Sequence, residues 1–325
     1  MMNEPILPIG VMVRLGSDPV SRLDFIREVG MECCQLCRIG ENYMHGCDGK
    51  HQTAILAESL YRNRLAVPSM FLFFENMQWS PEECGITPEH HRAERLLFAM
   101  RQIAWGQQFG VRQFVCHAGV FPDAGTPAYE RWVKDMRQFC RLAAGFNADF
   151  LFETGPEPAS VLKEFLDQLG EPNAGINFDP ANLLIYDQTE PLEFLDLLGD
   201  RVMAVHCKDA VRPGKSAAGS ANSTADAAGK SARGKETPLG KGDTQFAECL
   251  RKLYEDNGFR GPLIIEREIL PGPEQDADIC SAVQLLNELR SSLISGSPGS
   301  YNWASVFPGG RLFFRGNTAA SSAQT

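Results

Sequence analysis

The sequence has no run of about 18 consecutive apolar residues, the length a helix needs to cross a bilayer, so no membrane span is expected. Its first residues, MMNEPILPIG, lack a basic stretch leading into an apolar segment, and no secretory signal is expected. Positive charge is in short supply: 31 Lys and Arg stand against 41 Asp and Glu, a formal net charge of −10, with no sustained basic run in the apolar body. A nucleic-acid backbone is therefore not the expected partner. No Gly-rich nucleotide loop and no Ser-His-Asp arrangement occurs. The ten cysteines do not have the spacing of a disulfide framework but are scattered through strand-like and helix-like segments. That usage indicates reduced thiols and a cytoplasmic protein. The C-x-x-C formed by Cys34 and Cys37 lies inside an apolar strand-like run and reads as structural.

What is present is an alternation. A chain of 325 residues with 43% hydrophobic content can bury a large core. Eight short apolar runs, at 9–15, 31–37, 67–74, 111–116, 149–152, 174–178, 201–207 and 262–265, have strand length and alternate with segments of helical spacing. Asp18-Pro19, Thr87-Pro88 and Thr126-Pro127 each read as a capping side chain followed by proline in the first turn of a helix. Further helices are expected at 53–65, 158–169, 191–198, 244–257 and 277–293, and 38–52 reads as a polar loop. Strand and helix repeated eight times, with near-continuous apolar strands, predict an α/β fold: a single (β/α)8 TIM barrel over residues 1–295. Residues 213–236, rich in Ala, Ser, Gly and Lys, cannot bury enough to order themselves and read as a flexible insertion after the seventh strand. Residues 296–325 read as an aromatic C-terminal tail, packed on the body or on another subunit and disordered at its end.

Four of the apolar runs close on a group that can ligate a metal or move a proton. These are Phe150-Leu-Phe-Glu153, Ala174-Gly-Ile-Asn-Phe-Asp179, Val202-Met-Ala-Val-His206 and Pro262-Leu-Ile-Ile-Glu266. In a parallel barrel the C-terminal strand ends share one mouth, where active sites are built. Strands five to eight would each deliver one ligand there. Three carboxylates and one imidazole suit Mn²⁺ or Mg²⁺, with Co²⁺ and Zn²⁺ as alternatives; the hard oxygens favour the first pair and the histidine tilts the choice to Mn²⁺.

These residues resemble a known family. Phe-x-Glu153-Thr-Gly, Asn-Phe-Asp179-Pro-Ala-Asn, Val-His206-x-Lys-Asp209 followed by Pro238-Leu-Gly-Lys-Gly-Asp243, and Ile-Glu266 are similar to motifs of the sugar phosphate isomerase/epimerase group of xylose isomerase-like TIM barrels. The resemblance spans roughly residues 9–293 and looks most like the ketose 3-epimerases. It implies a divalent metal held by Glu153, Asp179, His206 and Glu266, with Glu153 and Glu266 also removing and returning the proton α to a carbonyl through a metal-stabilised enediolate. It further implies that Arg212, by its spacing from His206, contacts substrate oxygen. The physics agrees: such a hydrogen is too weakly acidic unless the developing negative charge is stabilised, and two carboxylates on opposite faces permit epimerisation. Where those epimerases carry a substrate-orienting histidine this chain has Asn182, which can donate a hydrogen bond but cannot share a proton at neutral pH.

The expected activity is thus that of a metal-dependent sugar isomerase or epimerase on a small-molecule sugar or sugar derivative. A keto-sugar or keto-inositol lyase or dehydratase on the same site is the nearest alternative, and a non-catalytic or partner-dependent barrel is the second. A DNA-repair endonuclease of this fold would need a trinuclear zinc cluster, and Asn182 and Lys208 stand where further ligands would be required. His117, Asn182, Lys208, Arg212 and Glu75 are the candidate substrate contacts, with Asp209 as a possible neighbour of Lys208 and Trp79 as part of a sugar-facing wall. A homo-oligomer, dimer or tetramer, is expected where the resemblance points.

Overall fold

The computed structural model describes residues 6–16, 18–75, 77, 80, 83–212 and 233–294. Trp79, residues 213–232 of the expected insertion and the expected tail lie outside them. The strands are β1 (Ile9–Arg14), β2 (Cys33–Cys37), β3 (Ala66–Phe71), β4 (Gln113–Cys116), β5 (Asp149–Glu153), β6 (Ala174–Phe178) and β7 (Val202–Cys207), then a hairpin of β8 (Asp209–Val211) and β9 (Lys235–Thr237), then β10 (Leu263–Ile265). All but the hairpin close into one parallel barrel in the order β1-β10-β7-β6-β5-β4-β3-β2. The helices are α1 (Pro19–Glu28), α2 (Glu41–Met44), α3 (Gly46–Asn63), α4 (Glu89–Gly106), α5 (Pro127–Ala144), α6 (Ala159–Leu169), α7 (Pro180–Ile185), α8 (Pro191–Leu198), α9 (Phe246–Glu255) and α10 (Pro273–Ile294).

The period-2 geometry of a strand explains why these runs are apolar throughout. In β5, Phe150 and Phe152 turn outward and meet Phe139 and Phe165 edge-on at 5.0 and 5.1 Å. Leu151, between them, turns inward and packs with Val115 and Ala204 as a layer inside the barrel. Each buried phenylalanine contributes about 2–3 kcal/mol relative to exposure.

Local structure departs from expectation in three places. Most of the 38–52 stretch is not loop: α2 and the start of α3 occupy it, and Gly49 packs where a Cβ would lie 3.0 Å from the Tyr43 carbonyl oxygen. Thr87 does not cap α4; its hydroxyl donates to the Ala118 carbonyl at 2.6 Å, and Pro88 takes the cap position with no side-chain bond. Asp179, expected only to close the sixth strand, also opens α7 with Pro180 at its first position, accepting from the Asn182 amide at 3.0 Å. That is the same grammar as Thr126-Pro127, where the Thr126 hydroxyl accepts from the Tyr129 amide at 3.2 Å. Lys235 and Glu236, at the end of the expected insertion, pair through β9 with β8.

Candidate metal centre

Four consecutive strands of the barrel, β5, β6, β7 and β10, bring Glu153, Asp179, His206 and Glu266 to one end. One ligand atom from each lies within 4.8 Å of all the others, and all four residues are buried. His206 Nδ1 is the hub, 2.7 Å from Glu153 Oε1, 3.2 Å from Glu266 Oε2 and 3.9 Å from Asp179 Oδ2. Alternation along the chain places Glu266 inward and sends Arg267 outward, where it pairs with Asp278 at 2.8 Å and Glu236 at 2.9 Å.

The donors fit a divalent cation. Asp179 Oδ2 and His206 Nδ1 are buried atoms with no aligned hydrogen-bond partner, although carboxylate oxygens crowd the ring nitrogen. Buried polar atoms are otherwise paired as a rule, so lone pairs converging without hydrogen-bond alignment point to an ion. Neighbouring ligands around an ion bound at about 2.1 Å stand roughly 3 Å apart, which is the spacing around Nδ1. The other ring nitrogen is already committed, lying 3.0 Å from Gln35 Oε1, while Gln35 Nε2 donates to the Ser69 hydroxyl at 2.9 Å. Gln35 Oε1 can only accept, so Nε2 carries a proton and Nδ1 is left for a metal.

The electrostatics show charge held together by burial and compensation. Burial raises Asp179 to about 7 even though Lys208 pulls it down. Burial alone would lower His206, but Glu266 and Glu153 outweigh it and raise the ring to about 10. Burial likewise opposes the ionisation of Glu266, yet Lys208 and His206 hold its carboxyl well below the usual range. Lys208 Nζ is the countercharge, 3.1 Å from Glu266, 3.5 Å from Asp179 and 2.8 Å from Glu268.

A cavity of about 330 Å³ opens onto the cluster, lined by Glu153, Glu266, Lys208, His117, Asn182, Tyr186, Glu268 and Arg14, with Arg38, Arg233, Met12, Cys37, Phe71 and Phe73. A second cavity of about 320 Å³, between β1, α1 and α10, shares only Met12, Arg14 and Glu266 with it. Asp179 and His206 do not line the first cavity; both are wholly inaccessible. Burial lowers the His117 ring from its usual range, and its Nδ1 accepts from the Gly119 amide at 3.4 Å.

The model of one protein family, described as xylose isomerase-like TIM barrel, matches residues 23–289. The chain belongs to this family. Among solved structures, a xylose isomerase domain protein from Planctomyces limnophilus is 26% identical over 90% of this chain and all of its own, with a TM-score of 0.76. The probable 3-DHS dehydratase AsbF from Bacillus anthracis is 16% identical, covering 86% of this chain and 99% of its own, with a TM-score of 0.63. A D-psicose 3-epimerase determined in the presence of D-fructose is 11% identical, covering 89% of this chain and 100% of its own, with a TM-score of 0.62. No curated protein matches the chain in sequence.

Within this xylose isomerase-like barrel the other expected contacts divide. His117, Asn182 and Lys208 line the cavity. Glu75 does not: it sits in a separate groove with Glu41, Arg95 and Arg101, because the chain after β3 turns outward toward α4. Arg212 is also outside, tied to Glu190 and, through its backbone amide, to Asp243 at 3.2 Å. Asp209 neither lines the cavity nor pairs with Lys208. Residues that sequence reasoning missed include Tyr186, which follows α7, and Gln35, whose polar side chain in the otherwise apolar run CCQLC was the available signal. Glu157, buried between two prolines after β5, was also missed; burial raises its carboxyl to about 8.

Proposed function

We propose that this protein is a divalent-metal-dependent enzyme that removes and returns the proton on the carbon next to the carbonyl of a sugar or sugar derivative, acting as an epimerase or isomerase. The observation that carries the reading is the division within the cluster: Glu153 and Glu266 reach the cavity, whereas Asp179 and His206 are sealed behind them. Glu153, Asp179, His206 and Glu266 are the metal ligands in this reading, with Mn²⁺ the preferred ion and Mg²⁺, Co²⁺ or Zn²⁺ the alternatives. The bound ion would supply positive charge that makes the α-hydrogen acidic enough to lose, an effect of several kcal/mol.

The protein's own groups do the rest. Glu153 and Glu266 come from the outer two of four adjacent strands, so they approach a substrate between them from different sides. One accepts the proton and the other returns it. Asn182 donates its amide to the Thr154 carbonyl at 3.1 Å, which leaves its side-chain oxygen to accept from a substrate hydroxyl. A second reading, elimination of a β-hydroxyl, draws on Tyr186: burial raises its phenol to about 12, so a proton for a leaving oxygen stays in the same cavity.

The test is solvent exchange. Protein loaded with Mn²⁺ is incubated in D₂O with free and phosphorylated ketoses, keto-inositols and 3-keto-glycosides, and deuterium is followed by NMR. Incorporation α to a carbonyl that falls about a hundredfold or more in Glu153→Gln and Glu266→Gln supports the reading. The product separates epimer from alkene. Absence of exchange on every compound, in protein shown to retain its metal, would overturn it.

A further inference from the structure

Three arginines, Arg14, Arg38 and Arg233, stand at the mouth of the cavity, above the carboxylate cluster. Among the described residues none of these three guanidiniums has a carboxylate partner, whereas Arg22, Arg62, Arg131 and Arg267 elsewhere are paired with Asp276, Asp24, Glu89 and Asp278. Two of the three are held at the wall by aromatic rings that also line the cavity: Arg38 lies 5.0 Å from the centre of the Phe73 ring and Arg233 lies 5.4 Å from that of Tyr186. Arg38 takes up its place directly after β2 through a left-handed backbone, φ 59°, which an arginine adopts at a cost.

Charge balance shows what is left over. Lys208 is occupied by Asp179, Glu266 and Glu268. A divalent ion together with Lys208 offsets Glu153, Asp179 and Glu266, so only Glu268 remains to oppose the three guanidiniums. With such an ion bound, the mouth would be positive by two charges, in a chain whose net charge is −10. A neutral sugar needs no such excess. Planar guanidiniums match the oxygens of a phosphate or carboxylate, and a charge-assisted contact of this kind is stronger than a neutral one.

We infer that the substrate of this site carries an anionic group, a phosphate or a carboxylate, which Arg14, Arg38 and Arg233 hold at the mouth while its carbonyl end faces Glu153 and Glu266. The inference deepens the proton-transfer reading and rests on it for the location of the carbonyl end. Arg212, the arginine expected from sequence to touch substrate, is not available for this task because Glu190 holds it.

Calorimetry on the Mn²⁺-loaded protein tests it without requiring turnover. The probes are D-fructose, D-fructose 6-phosphate and 2-keto-D-gluconate. One of the two anions binds about tenfold or more tighter than D-fructose, and which one it is distinguishes phosphate from carboxylate. Added NaCl narrows that advantage, and it collapses in Arg14→Gln/Arg38→Gln and in Arg233→Gln, whose exposed side chains are replaced without disturbing the core. Equal binding of all three probes overturns the inference, as does an advantage that survives in either of these variants. Deuterium exchange on the same samples reads the other proposal separately: tight anion binding without exchange would sink the proton-transfer reading and leave the anion site standing.

Discussion

His206 Nε2 lies 3.0 Å from Gln35 Oε1, across the barrel from β7 to β2. This contact sets which ring nitrogen is free, because an amide oxygen accepts and never donates. The amide is itself fixed by its bond to Ser69. Gln35→Leu removes the acceptor at similar size, so the ring is expected to lose its fixed orientation and Mn²⁺ affinity to fall by about 10- to 100-fold. Titration calorimetry reads this, and an unchanged affinity would sink the assignment of Gln35 as the positioning residue for His206.

Metal binding is expected to depend steeply on pH. Without metal, His206 is raised to about 10 and Asp179 to about 7. Both folded values exceed the unfolded ones, so the stability tied to each proton is complete below its unfolded value. It is lost as pH rises, through about 7 for Asp179 and about 10 for His206. Metal needs both groups deprotonated and therefore binds tighter as pH rises. Between pH 7 and 9 one proton is displaced and affinity climbs about tenfold per unit; below pH 7 the Asp179 proton adds to the slope. Calorimetry in two buffers of different ionisation enthalpy counts the protons, and a flat profile would contradict the roles of both groups.

Lys208 provides a third test. Its ammonium, 3% exposed, compensates three carboxylates when no ion is present. Lys208→Met leaves Asp179 and Glu266 buried without their countercharge, a change of a kind that costs about 3–5 kcal/mol. The metal-free variant should melt well below the wild type, and added Mn²⁺ should recover more of the loss than it adds to the wild type. Equal melting shifts in both proteins would mean that Lys208 and the ion do not share the work.

The barrel and the four strand-end groups that converge in it were legible in the sequence because both rest on local pattern. An apolar run of strand length ending in Glu153 or His206 is visible without knowing its neighbours, and the parallel topology then gathers the strand ends. What stayed hidden depends on contacts across the fold. The 38–52 stretch read as loop because only the neighbouring Tyr43 carbonyl shows why Gly49 lacks a side chain inside a helix. Glu75 and Arg212 looked suitable by chemistry or spacing, but the direction of an irregular loop and the presence of Glu190 are not written in periodicity. The arginines at the mouth come from the ends of β1 and β2 and from the segment before β9, which nothing in the local sequence relates.

The cysteines make a fourth prediction. Cys33, Cys34 and Cys37 are buried, and burial raises all three thiols, Cys37 to about 12. Cys47 is exposed and Cys280 is half-buried. Native protein treated with an alkylating reagent at pH 8 should be modified at Cys47 first and Cys280 next, with β2 protected until unfolding. Mass spectrometry locates the label, and early modification of Cys34 or Cys37 would reopen a redox or zinc role for the C-x-x-C.

Asp209 follows Lys208 in the chain yet has an unrelated role. Its carboxylate accepts from the amides of Gly240 at 2.9 Å, Gly242 at 3.0 Å and Thr244 at 3.2 Å, and from the Thr244 hydroxyl at 2.7 Å. It thereby folds the Pro238–Asp243 segment into a loop against β8. The approach is close enough that a Cβ on Gly242 would lie 2.1 Å from Asp209 Oδ1. Asp209→Ala orphans several donors at once and should cost about 3 kcal/mol, because an unsatisfied buried donor loses its full desolvation energy. For a domain of this size that is a fall in Tm of roughly 5 °C. The metal stoichiometry should stay at the wild-type value, since no Asp209 atom belongs to the Glu153–Asp179–His206–Glu266 cluster. A variant that loses its metal while keeping its Tm would place Asp209 in the site rather than under it.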